Sequence, residues 1–218
     1  MVVEVELTLV SIIQGVALYF LIDNARGVLS MKQVVFWPYI LGGLLVILIF
    51  WSRSVLHILT LIRWPIEFGH NFFYIACALA ESLLFTRLTN PRAWFTLGAL
   101  YALVVWLLFI YDLRLICARE RDSAGEASDR LYKIVTRDQW LNISALVPGL
   151  FLLNLAGAIC TRAWPDFFLA HNGHLCFATV QLAAFAIYLL YVIRFYVDVA
   201  PLIARARQEW QGQSDADN

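Results

Sequence analysis

A chain of 218 residues that is 61% hydrophobic and only 15% charged is not built for water. Soluble domains are about 45–50% apolar and about 25% charged, and folding alone cannot hide such an apolar excess. The basic and acidic residues balance at 16 each, no basic tract speaks for nucleic acid, and the lipid bilayer is the expected surroundings and first partner.

Six apolar stretches are long enough, or nearly so, to cross a bilayer, which takes about 20 residues each. The expected class is therefore an all-α polytopic membrane protein with one transmembrane domain over 1–204. The first span is read at 5–22. No basic region precedes it, so a cleaved signal peptide is not expected. The second starts at Val34 and would end near residue 52, with an extension to 64. Its apolar run of 29 residues, to Ile62, is about 43 Å of helix against about 30 Å of hydrocarbon. The excess should project beyond the membrane and turn at Trp64 and Pro65, since a proline pushes the residue before it out of helical geometry. The third span covers 66–88 and the fourth 93–117. A polar segment of mixed charge follows at 118–138, with a short surface helix expected over 128–137. The fifth span is 139–160, the sixth 175–197, and 205–218 is a polar tail.

Orientation comes from arginine and lysine placement. With both termini inside, ten fall on the cytoplasmic side and five outside, Arg53 being left aside. Trp37, Trp94 and Trp164 then sit at outer span ends, and Trp64 and Trp140 at inner ends, where amphipathic rings collect. The expected location is a bacterial-type cytoplasmic (inner) membrane. An aromatic stands three residues before an arginine at Phe50 and Arg53, Tyr111 and Arg114, and Tyr191 and Arg194. Positive-inside bias explains this without an internal repeat.

Arg53 and Glu81 are the anomalies. A carboxylate near the middle of a span costs at least about 2.5 kcal/mol. At 100° per residue, Glu67, His70, Asn71, Tyr74, Ala78 and Glu81 share one face of the third helix. Such a stripe faces protein or water rather than lipid. On the first helix Glu4, Thr8, Ser11 and Gly15 align, with Gln14 beside them. Two readings of Arg53 compete: it snorkels to the inner headgroups, or it pairs with Glu81. The transport or gating candidates are thus Glu81, Arg53, His57, His70, Asn71, Tyr74, Glu67 and Gln14.

A second group, Cys160, Asp166, His171, His174 and Cys176, brings sulfur, imidazole and carboxylate within 17 residues. It matches no standard zinc spacing, and the two cysteines are alternatively a disulfide. Cys77 and Cys117 read as apolar fillers. The sequon at Asn142 falls at a predicted inner helix start and carries no meaning there. No nucleophile elbow, phosphate loop or HExxH is present, so no catalytic residue and no cofactor is expected. The leading functional expectation is an oligomeric channel or transporter for an ion or small solute, working as a homo-oligomer. The alternatives are a membrane anchor or sensor docking a soluble cytoplasmic protein partner and, more distantly, a lipid-modifying enzyme using His57, Glu67 and His70.

Overall fold

The computed structural model describes residues 2–61, 68–121 and 125–216, and their side chains except those of residues 2–6, 59, 61, 68, 119, 121 and 210–216. Glu67, Trp64 and Pro65 lie outside the described residues, as does the side chain of Glu4. The described chain is helical, with no strand among the described residues. Its helices are α1 (Val2–Ser30), α2 (Trp37–Leu61), α3 (Phe68–Phe85), α4 (Pro91–Arg121), α5 (Glu126–Leu141), α6 (Val147–Ala163) and α7 (His174–Ala216). Among the described residues, five segments are long and apolar enough to cross a membrane: Leu7–Ser30, Val34–Ile58, Pro91–Ala118, Glu126–Ala163 and His174–Glu209. The third expected span is the exception, because α3 has 18 residues and opens on a polar turn.

Local chemistry sets the helix ends. Lys32 takes a left-handed backbone (φ 51°), and the Gln33 N–H donates back to Val28 O, which closes the last turn of α1. Asn90 caps α4 by accepting from the Ala93 N–H at 3.1 Å, and Pro91 follows where a missing N–H costs nothing. No break separates α5 from α6. A π turn over Asn142–Leu146 joins them into one run, and the amphipathic surface helix passes through it into an apolar one.

The exterior is apolar and the interior partly polar. Ile12, Leu48, Leu79, Leu83, Leu152, Ile187 and Val197 are exposed, whereas Gln14, Glu81, Asp112, Asp138, Asn154 and Gln181 are buried. This inverts the soluble pattern and suits helices whose solvent is lipid. Helix α4 lies centrally, packed on α3, α5 and α6, while α2 and α7 pack together beside it. Three apolar clusters stack along the bundle. One holds Phe85, Trp94 and Phe95, and a middle one holds Phe50, Tyr74 and Phe109. The third joins Leu56, Ile116, Leu131, Tyr132, Val199 and Ile203, and so seats α5 on the ends of α2, α4 and α7. Helix α7 does not stop near 197 but runs on to Ala216. Glu209 on that extension accepts from the backbone N–H groups of Ala127 and Ser128, both at 3.0 Å, and thereby caps α5.

Candidate functional site

At the α5 end of the bundle, Arg53 meets a partner that the sequence reading did not consider. Its Nη1 donates to Asp138 Oδ2 at 2.7 Å, and its Nη2 to Gln139 Oε1 at 3.3 Å. The guanidinium lies 5.5 Å from the centre of the Phe109 ring, which is cation–π range. Asp138 also accepts from Tyr191 Oη at 2.6 Å and from Asn142 Nδ2 at 3.3 Å, and Tyr188 donates to Asn142 Oδ1. Gln139 donates in turn to the carbonyl of Phe109 at 2.8 Å. The network ties α2, α4, α5 and α7 to the turn at which α5 becomes π-helical. Neither expectation for Arg53 holds. It does not pair with Glu81, and with its side chain 10% exposed it does not snorkel. The reason is tertiary: α5 packs on α4 and α7 and brings a carboxylate to the end of α2.

Next to this network lies a second cluster, His57 from the last turns of α2, His70 from the first turn of α3, and Asp112 from α4. His70 Nδ1 is 2.8 Å from Asp112 Oδ1, and His57 Nδ1 is 3.7 Å from Asp112 Oδ2. The two imidazoles stack, with centres 4.6 Å apart and planes 8° from parallel. Among the described residues these three form the group that gathers potential metal ligands, all within 4.8 Å of one another. They line a cavity of about 30 Å³ with Arg53, Ser54 and Thr60, which holds a water or an ion but no organic substrate. A larger apolar cavity of about 290 Å³ abuts it between α2, α4, α6 and α7, and the two share Phe50, Arg53 and Phe109 as a wall.

The stripe read on the third helix does face inward. His70, Tyr74 and Glu81 are all buried, and from His70 to Glu81 the helix rises about 16 Å. The Tyr74 ring lies 6.4 Å from His70 and 4.9 Å from Phe50. Farther along, Gln14 Nε2 of α1 approaches Glu81 Oε2 at 3.4 Å. Glu81 Oε1, also buried here, has no hydrogen-bond partner among the described residues, while the Tyr74 hydroxyl lies near Ser54 and Gln14. Asn71 is half-buried on the same helix, one residue round from His70. Beyond Glu81 the interior closes over Leu84, Phe85 and Leu88. There Trp94 Nε1 donates to Gln181, which donates to Asn154.

The residues read as a second metal group do not assemble. His174 Nδ1 shares a hydrogen bond with Tyr39 Oη at 2.8 Å. His171 Nδ1 lies 2.9 Å from the carbonyl of Asp166, and Cys160 and Cys176 are free thiols. Asp112 and Asp138 are the functional candidates that sequence reasoning missed. Asp112 was legible as a lone acid in the apolar run of α4, a signal masked by Arg114 two residues on. Asp138 sits at the end of a charged segment, where one more acid carries no signal. No protein-family model, curated protein or solved structure matches this chain, so its function rests on this geometry.

Proposed function

We propose that this chain is a six-span membrane protein, with both termini and α5 on the cytoplasmic side, that takes up a small cation and passes it across the bilayer. One observation carries the reading. Among the described residues the buried interior holds three carboxylates, Glu81, Asp112 and Asp138, and of these Arg53 neutralises the last. Among the described residues Asp112 has histidine partners and Glu81 a glutamine. Unpaired charge in an apolar bundle is costly, so these two acids call for an exchangeable cation, a proton or a metal. Along the same file as Gln14 and Tyr74, the second Glu81 oxygen has no partner among the described residues, and native proteins rarely leave a buried polar atom idle.

The file starts at the His57, His70 and Asp112 cluster near the cytoplasmic side, and Tyr74 links it to Glu81 and Gln14. The apolar closure beyond Glu81 favours a transporter that alternates between states over an open channel. In this reading α3 is the sixth span, about 27 Å long for its 18 residues. Ten cytoplasmic basic residues against five outside support the orientation. A bacterial-type cytoplasmic membrane and a homo-oligomer belong to the proposal, since six short spans leave little interior volume.

The test is cation flux in liposomes containing the purified protein. Glu81→Gln keeps the shape and removes both charge and titration. The expected outcome is a folded protein whose flux is lost or no longer varies with pH. Wild-type flux in Glu81→Gln at every pH would refute the role of Glu81.

A further inference from the structure

The His57, His70 and Asp112 cluster specifies the cation more narrowly than charge alone. We infer that these three side chains bind a borderline divalent transition metal of the Zn²⁺ and Co²⁺ class; the inference rests on the cation-uptake reading above and names its substrate.

The donor set comes first. Two imidazole nitrogens and one carboxylate oxygen suit zinc, cobalt, iron and nickel, whereas alkali ions, Mg²⁺ and Ca²⁺ favour all-oxygen sites. Three protein ligands beside a cavity of about 30 Å³ leave room for water or a further ligand, as in zinc sites that keep one position open.

Distances come second. Ligand atoms around a tetrahedral metal with bonds near 2.0–2.1 Å lie about 3.4 Å apart. Here His70 Nδ1 lies 2.8 Å from one Asp112 oxygen and His57 Nδ1 3.7 Å from the other, and one ligand atom from each of the three residues lies within 4.8 Å of the other two. The shortfall is one of orientation. Stacked rings 8° from parallel have no common in-plane point between them, so loading requires one ring to turn. His57 is the ring free to do so. Its Nδ1 is too far from Asp112 for a hydrogen bond, and rotation of an imidazole about χ2 is soft. His70, held by Asp112 at 2.8 Å, stays in place.

Charge comes third. The fixed cation closest to hand, Arg53, is turned to Asp138, Gln139 and the Phe109 ring. It therefore does not cancel Asp112, and it leaves that carboxylate to the two imidazoles, which bind metal through a neutral ring nitrogen.

The experiment uses the full chain, purified in detergent, stripped with a chelator and dialysed against Zn²⁺ or Co²⁺ with Mg²⁺ in excess. A single bound ion per chain is expected, with affinity lower by at least about tenfold in His57→Gln, His70→Gln and Asp112→Asn and unchanged in Cys160→Ala with Cys176→Ala. No binding by folded wild-type protein, or equal binding in the two histidine variants, overturns the inference. Should a variant fail to fold, the Co²⁺ spectrum of wild-type protein decides. Ligand-field bands without a sulfur-to-metal transition support the site, whereas a sulfur transition assigns the metal to cysteines and overturns it. The liposome assay separates the two readings. Bound metal without flux keeps this site and removes passage across the bilayer. Proton or alkali-cation flux that needs Glu81, with no metal bound, overturns the site and keeps passage.

Discussion

Replacing Arg53 with leucine leaves buried Asp138 with Tyr191 and Asn142 as its side-chain donors among the described residues. Breaking a buried ion pair from one side costs about 3–5 kcal/mol, because the other charge is stranded. Asp138→Leu strands Arg53 instead, but less completely. Gln139 still accepts at 3.3 Å, and the Phe109 face still offers roughly 0.5–2 kcal/mol of cation–π attraction. That side should cost about 2–4 kcal/mol, including the lost Tyr191 hydrogen bond of about 1 kcal/mol. The double variant strands neither charge and loses mainly the hydrogen bonds of Tyr191, Asn142 and Gln139, about 1–3 kcal/mol together. The summed singles then exceed the double by roughly 4–6 kcal/mol. Unfolding of the four-member cycle in mixed detergent and SDS micelles, followed by circular dichroism, measures this coupling. Arg53→Leu with Glu81→Leu is the contrasting cycle and should be additive within about 0.5 kcal/mol. Arg53→Lys should also be damaging, because an ammonium cannot fork over Asp138 and Gln139 together. A coupling below about 0.5 kcal/mol between Arg53 and Asp138, or a silent Arg53→Lys, would refute the pairing.

Orientation is tested by a cysteine at the exposed position of Arg130 in a background without Cys77, Cys117, Cys160 and Cys176. An impermeant thiol reagent should label it in inside-out vesicles and not in intact cells, and the reverse result inverts the topology. The α4–α6 contact is tested at Gly157, where an added Cβ would stand 2.7 Å from the Phe95 ring. With Phe95 fully buried, Gly157→Ala should cost about 1–3 kcal/mol by overpacking. Gly149→Ala, with nothing within 4 Å of the added carbon, should be neutral or slightly stabilising in the same unfolding assay. Equal effects at the two glycines would mean that the close packing of α4 on α6 is not what limits stability there.

What the sequence determined by itself was the solvent and the periodic faces. Long apolar runs are compatible with lipid whatever they pack against, and a polar residue every third or fourth position marks an inward face whatever lies opposite. For that reason the face carrying His70, Tyr74 and Glu81 could be read before any partner was known, and a helix over 128–137 could be expected where α5 runs. Tertiary structure alone decided the pairings. Asp138 is 85 residues from Arg53 and Asp112 is 42 from His70, and nothing local in either stretch records the other. Pairing with Glu81 was one of two readings of Arg53, since the two stand on consecutive helices and a long arginine side chain can reach across a difference in depth. The competition was settled by α5, which packs on α4 and α7, runs on through the π turn at Asn142–Leu146 into α6 and delivers its carboxylate 2.7 Å from the guanidinium. Contact of that kind depends on helix crossing and register, which short-range pattern does not encode. The same physics freed Asp112 for two histidines and left Glu81 without a basic partner among the described residues, and on that imbalance the cation reading rests.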